Sequence, residues 1–178
     1  MGVFIALLRG INVAGQKKVP MLELKTLFHE AGFTNVVTYI QSGNVVFSTS
    51  IEDENKIAFI IEQKIKSYFG FDVPVMVYEH EYFKMVISEN PFKNINLERL
   101  YVVFLEKTPE KSLLYNILIP NHLPDEFIIF GNTVYLHVPI AYGNSKLSNN
   151  FFESKLKVKA TTRNWRSVNE LYKIALSI

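Results

Sequence analysis

Apolar and polar residues along the first 80 positions form segments whose length and spacing predict particular elements. Val3–Leu8 is a continuous apolar run, which is typical of a buried central strand. Met21–Ala31 and Ile57–Tyr68 place apolar residues three and four positions apart, which predicts two helices. Three further segments, rich in apolar or β-branched residues, predict strands at residues 34–40, 45–47 and 74–78.

The resulting order is β-α-β-β-α-β within about 80 residues, which is the split βαβ arrangement of ferredoxin-like domains. Such a domain packs its two helices on one face of a mostly antiparallel sheet. We therefore expect one face of this sheet to be buried and the other to be left uncovered.

A similar pattern recurs less regularly in the second half of the chain. Gly131-Asn132 separates two apolar segments and is a strong hairpin signal. Trp165 begins a last apolar stripe at helical spacing. The other predicted elements are a strand at residues 101–105, a helix at 110–118, hairpin strands at 127–130 and 133–138, a helix at 146–156 and a short strand at 158–161.

The two halves together predict an α+β protein made of two ferredoxin-like modules packed together, the second less regular. The first module covers residues 1–80, and residues 81–97 form a connecting helix and loop. Residues 98–178 form the second α+β module, which ends in a C-terminal helix. We expect the modules to pack together because no low-complexity linker separates them.

Composition places the chain among folded proteins. Of 178 residues, 48% are hydrophobic and 20% are charged, which excludes intrinsic disorder. No apolar run approaches the roughly 18 residues of a membrane span. The apolar N-terminus is short and is followed at once by Arg9, which is typical of a strand and not of a signal peptide. Cysteine is absent, which excludes disulfides and thiol nucleophiles. We therefore expect a cytoplasmic protein that does not associate with membranes.

The charge of the chain is distributed unevenly. The net charge is +2, but residues 1–90 carry 8 basic and 10 acidic side chains and residues 91–178 carry 11 basic and 7 acidic ones. Residues 144–173 concentrate seven of the cations: Lys146, Lys155, Lys157, Lys159, Arg163, Arg166 and Lys173. This cluster is either a solvated surface or a patch that faces an anion.

Most common catalytic signatures are missing from the sequence. It contains no phosphate-binding P-loop motif, no nucleophile elbow and no third glycine that would complete a dinucleotide loop at residues 10–15. The four histidines are scattered, at His29, His80, His122 and His137, so no metal site and no cofactor is predicted. The catalytic residues stay unknown, and the sequence leaves enzymatic activity open.

The first candidate site follows the first strand and contains Arg9, Asn12 and Lys17. A loop that enters a helix can direct backbone N–H groups and cationic side chains at one anion. The alternative is an ordinary connection with surface lysines. The second candidate site is the segment of Gln41, Ser42 and Asn44, which offers hydroxyl and amide groups beside the first strand. Its alternative is turn chemistry alone.

The third candidate site combines Ser145 and Lys146 with Arg163 and Asn164. Thr162 or Asn164 could instead cap the last helix, with Trp165 in the core. If the sites form one unit, Arg9, Lys17, Lys146 and Arg163 converge on a single anion between the modules.

Six motifs occur in order along the chain: Leu8-Arg9-Gly10-Ile11-Asn12-Val13, Met21-x-x-Leu24, the segment from Thr38 to Phe47, Asn90-Pro91-Phe92, Ser145-Lys146-Leu147 and Thr162-Arg163-Asn164-Trp165. Together they resemble the domain-of-unknown-function 1697 family over essentially the whole chain. The resemblance implies a bacterial protein with ferredoxin-like α+β modules and implies no particular activity. This chain departs from the usual pattern at Ala14, where the family usually has glycine, and at Arg166-Ser167, where it usually has Asn-Thr.

The leading functional hypothesis is a cytoplasmic protein that binds a small anionic ligand, such as a phosphorylated metabolite or a nucleotide. Ferredoxin-like acylphosphatases place an arginine after the first strand, as Arg9 is placed here, but this is a fold-level analogy. One alternative is single-stranded nucleic-acid binding on an open sheet face, with Phe4 and Phe47 as stacking residues; the low net charge disfavours it. The other alternative is a protein-interaction or structural module. The sequence does not predict an oligomeric state.

Overall fold

The computed structural model describes residues 1–118 and 123–178, and the chain divides into two compact units. Unit 1 comprises Met1–Met85 with Glu170–Ile178, and unit 2 comprises Val86–Asn169. The break after Met85 lies inside the segment 81–97 that the sequence assigns to the connection. Residues 170–178 belong to unit 1, whereas the sequence prediction placed them in the second module.

Unit 1 has the element order predicted from its sequence. Its elements are β1 (Gly2–Leu8), α1 (Met21–Glu30), β2 (Thr34–Tyr39), β3 (Asn44–Thr49), α2 (Glu54–Phe69) and β4 (Val75–Glu79), followed by α3 (His80–Ser88), which crosses the unit boundary. The four strands form one sheet in the order β2-β3-β1-β4, and every neighbouring pair is antiparallel. The strand β1 is therefore central, as its continuous apolar sequence predicts.

The core of unit 1 lies between the sheet and the helices α1 and α2. Phe4 and Phe47 from the sheet pack with Phe28 from α1, with the rings of Phe28 and Phe47 5.2 Å apart and edge to face. The opposite face of β1 is not left uncovered, because Ile5 and Leu7 are both 0% exposed. The expectation of an uncovered sheet face is therefore wrong for this strand. A run of apolar residues without alternation already favours burial on both faces.

Side chains at the helix ends explain where the helices start and stop. Asp53 precedes α2 and accepts hydrogen bonds from the N–H groups of Asn55 and Lys56, which have no partner inside the helix. Gly70 ends the helix in the left-handed conformation, with φ of 79°.

None of the helices in residues 1–118 and 123–178 combines the length and the apolar character of a membrane span.

Unit 2 repeats the element and strand order of unit 1. Its elements are β5 (Leu100–Leu105), α4 (Lys111–Leu118), β6 (Glu126–Phe130), β7 (Thr133–His137), α5 (Asn149–Leu156) and β8 (Ala160–Asn164), followed by α6 (Trp165–Ala175), which crosses the unit boundary. The sheet order is β6-β7-β5-β8, again antiparallel throughout. The strand β8 pairs with β5 over five residues, so unit 2 is more regular than its sequence predicts. The α+β class with two modules is confirmed.

In each sheet, one N–H group of an edge strand donates a hydrogen bond to a glutamate side chain of a helix. The N–H of Val75 at the start of β4 donates to Oε1 of Glu62 in α2, at 2.9 Å. In unit 2 the N–H of Ala160 at the start of β8 donates to Oε1 of Glu153 in α5, also at 2.9 Å. Both bonds satisfy a donor that a strand edge otherwise exposes.

Candidate functional site

The first two candidate segments meet at the C-terminal end of β1. The N–H of Leu8 donates to the carbonyl oxygen of Gly43 at 2.8 Å, and the N–H of Arg9 donates to that of Pro74 at 2.9 Å. The end of β1 is therefore held between the β2–β3 turn and the segment that precedes β4. The loop of residues 9–19 starts here, and Arg9 is half-buried in it.

The Asn12 side chain fastens this loop to the rest of unit 1. Its Oδ1 accepts from the N–H of Val19 at 2.8 Å, and its Nδ2 donates to the carbonyl oxygens of Val19 and Gln41, both at 2.9 Å. Both ends of the amide thus have backbone partners. Asn12 therefore has a structural role in this loop, and its binding of a ligand stays a prediction.

Lys17 is also engaged within unit 1. Its Nζ donates to the carbonyl oxygen of Asp72 at 2.6 Å, and the carboxylate of Asp72 forms an ion pair with Lys66 at 2.9 Å. Lys17 is exposed, so a further anion could still approach it. These contacts make Lys17 a link between the loop and the segment before β4, in addition to any role with a ligand.

The β2–β3 turn fits the turn-chemistry interpretation. Asn44 is 0% exposed, and its Nδ2 donates to the carbonyl oxygen of Tyr39 at 3.1 Å and to Oγ of Ser42 at 2.9 Å. Asn44 is therefore buried inside the turn and does not face solvent, and its role in ligand binding stays a prediction. The side chains of Gln41 and Ser42 are exposed at the tip.

Two residues of the third candidate site serve the sheet and the last helix. Arg163 is only 7% exposed, and its Nη1 donates to Oγ1 of Thr161 at 2.8 Å and to the carbonyl oxygen of Thr162 at 2.9 Å. Arg163 is therefore mostly buried in β8, and its role in anion binding stays a prediction. Asn164 caps α6, since its Oδ1 accepts from the N–H of Ser167 at 2.8 Å. The convergence of four cations on one ligand stays a prediction.

The burial of three aromatic side chains, Trp165, Phe4 and Phe47, differs from what the core and nucleic-acid hypotheses predict. Trp165 is partly buried at the start of α6 rather than fully enclosed in the core. Phe4 and Phe47 are 1% and 0% exposed. Because stacking on a base needs an exposed ring face, these two residues cannot form the platform of the nucleic-acid hypothesis.

Ser145 and Lys146 line a cavity of about 270 Å³ in unit 2. The hydroxyl of Ser145 donates to Oδ2 of Asp125 at 2.6 Å. The Ser145 oxygen also accepts from the N–H of Leu147 at 3.0 Å. The cavity is completed by a largely apolar wall: Leu123, Pro124, Ile140, Ala141 and Leu147, together with Asn144.

The segment that carries Ser145 is anchored by Tyr142. The rings of Tyr142 and Tyr101 are stacked with centroids 4.6 Å apart, and the N–H of Ser145 donates to the carbonyl oxygen of Tyr142 at 3.0 Å. Burial raises the pKa of Tyr142, and a hydrogen bond with Thr162 offsets only part of this effect. Tyr142 is therefore a neutral anchor at physiological pH, and it fixes the wall of the cavity.

Asp125 is the site residue that sequence reasoning missed. It directly precedes β6, while Ser145 follows β7, and the hairpin register pairs Glu126 with His137. A hairpin brings the residue before its first strand close to the residues after its second. The Gly131-Asn132 signal thus contained the information that Asp125 and the segment after His137 share one end of the sheet.

The described residues, 1–118 and 123–178, contain no group of three or more His, Asp or Glu side chains placed to hold a metal ion. His122, one of the four histidines considered in the sequence, lies outside the described residues.

Comparison with known proteins gives a family and a fold. A family model described as a protein of unknown function (DUF1697) matches residues 1–135. The match ends before Ser145, so it covers less of the chain than the motifs suggest. The solved structure of a conserved bacterial protein from Streptococcus pneumoniae is similar, with a TM-score of 0.71, 22% identity and 98% of both chains covered. No curated protein matches. Since the family model covers more than half of the 178 residues, the chain belongs to the DUF1697 family.

Proposed function

We propose that this protein binds a small metabolite through an anionic group, in the cavity of unit 2. The cavity itself carries the proposal, because Ser145 and Lys146, two residues predicted from the sequence, line it together. A concave, largely apolar pocket with a few convergent polar groups is the usual form of a small-molecule site. A volume of about 270 Å³ suits a small metabolite rather than a polymer.

The roles of the lining residues follow from their chemistry. Lys146 supplies the positive charge for the anionic group, and the apolar part of the lining contacts the rest of the metabolite. Ser145 is committed to Asp125 and Leu147, so it positions the wall instead of acting as a nucleophile. The proposal therefore includes binding and no catalytic step.

The fold and the location are part of the same proposal. The strand order β2-β3-β1-β4 and its repeat in unit 2 support ferredoxin-like modules. The cysteine-free sequence supports a cytoplasmic protein.

A thermal-shift screen tests the proposed function, because a ligand that binds only the native state must stabilise it. The panel contains inorganic phosphate, sugar phosphates, nucleotides and small carboxylates. Lys146→Met keeps the alkyl stem and removes the charge, and Lys155→Met, on an exposed lysine of α5, is the matched control. We expect Lys146→Met alone to abolish the shift. Equal shifts in both variants would refute the site.

The strand β6 favours a second candidate function, protein interaction. It is the edge of its sheet, pairs with β7 without a register shift and exposes Ile128 and Phe130, at 44% and 57%. Exposed apolar residues on a regular edge strand favour pairing with another chain. Phe130→Lys should abolish concentration-dependent association in sedimentation experiments. Tyr68→Lys, at an equally exposed aromatic residue of α2, should leave it intact.

A further inference from the structure

The cavity of unit 2 presents two opposite charges that do not pair with each other. Asp125 has one side-chain partner within the described residues, the hydroxyl of Ser145, which occupies Oδ2. Lys146 has no side-chain partner in that part of the chain, although both residues line the same cavity. One carboxylate oxygen and one ammonium group are thus left to interact with an occupant.

This arrangement is unfavourable for a simple anion. A phosphate or carboxylate bound beside Lys146 would also face the negative charge of Asp125, which lines the same cavity and opposes the binding of a second negative charge. A simple cation would meet the same difficulty with Lys146. An occupant with a positive and a negative group at opposite ends would instead satisfy both side chains with charge-assisted hydrogen bonds.

We infer that the ligand is a short zwitterion, with a carboxylate or phosphate directed to Lys146 and a protonated amine directed to Asp125. The inference rests on the proposed function and specifies its ligand as an amino acid, an amino carboxylate or an aminoalkyl phosphate. Ile140 and Leu147 provide an apolar wall for the carbon chain between the two charges. The small volume of the cavity limits that chain to a few carbon atoms.

Isothermal titration calorimetry with matched probes tests the inference. The first series contains leucine, β-alanine, 4-aminobutanoate, 5-aminopentanoate, 6-aminohexanoate and O-phosphoethanolamine, which vary the separation of the charges. The tightest probe is then compared with two analogues of the same skeleton, one lacking the amine and one lacking the anionic group. We expect each analogue to bind about tenfold more weakly or worse, because each loses one charge-assisted contact.

Two variants assign the contacts. Asp125→Asn keeps an oxygen for the Ser145 hydroxyl and should remove the preference for the zwitterion over its amine-free analogue. Lys146→Met should remove the preference over the analogue without the anionic group. If the amine-free anion binds wild type as tightly as the zwitterion and Lys146→Met weakens both, the inference is overturned while the proposed function stands. If no anion or zwitterion shows binding that depends on Lys146, both are overturned.

Discussion

Gly43 offers a quantitative test of how the β2–β3 turn is held against β1. Its φ is +76°, and an added Cβ would lie 2.7 Å from Cβ of Leu8 and 2.7 Å from Cδ1 of Ile11. The left-handed backbone costs an L-residue about 1–2 kcal/mol. Leu8 belongs to the buried strand β1 and cannot move aside, so overpacking adds about 1–3 kcal/mol. Gly43→Ala should therefore lower the free energy of unfolding by roughly 2–5 kcal/mol.

Two other glycines of unit 1 provide controls that separate the two costs. Gly10 and Gly15 have φ of +72° and +76°, and an added Cβ would meet nothing within 4 Å. Gly10→Ala and Gly15→Ala should thus cost only the backbone share, about 1–2 kcal/mol. Urea denaturation followed by far-ultraviolet circular dichroism measures all three variants. Equal destabilisation by Gly43→Ala and the two controls would refute the close contact with Leu8 and Ile11.

Substitutions at three further residues test separate features of the fold. Ile40 has φ of +49° and is 50% exposed, so Ile40→Gly should stabilise the protein by about 1 kcal/mol; a loss of stability in urea would contradict the strain. Glu153→Ala should cost about 1–3 kcal/mol by removing the carboxylate that accepts from the N–H of Ala160, whereas Glu153→Gln keeps an acceptor and should cost clearly less. Burial raises the pKa of Tyr135 from 10.0 to about 12, so the unfolded state loses its proton first. Stability should therefore fall between pH 10 and 12, by about 1.4 kcal/mol per pH unit from this residue, and a Tyr135→Phe protein with the same alkaline slope would exclude Tyr135 as its source.

Much of the fold could be predicted because local signals and tertiary packing agree. The apolar run Val3–Leu8 contains no polar position that could face solvent, which fixes β1 as a central strand. Gly131, with φ of +60°, takes the first central position of a two-residue hairpin loop, the place that a type II′ turn reserves for glycine.

The candidate sites were harder to predict, because the same polar residues serve turns, caps and ligands. Asn12, Asn44 and Asn164 all occur in segments typical of ligand loops, yet their side chains bond to the backbone or to neighbouring side chains. Arg163 lies in a polar run that looks exposed, yet it is only 7% exposed in β8 and donates to Thr161 and Thr162. Asp125 is 20 residues before Ser145, and only the hairpin register brings the two together.

The most direct measurement of the central claim is an amide chemical-shift titration of the ¹⁵N-labelled protein with the tightest probe of the zwitterion series. We predict the largest shifts at Asp125, Ser145, Lys146 and Leu147, which line the cavity of unit 2. Those shifts should disappear in Lys146→Met and persist in Lys155→Met. The largest shifts in the loop of residues 9–19, with the cavity residues unchanged, would contradict the claim.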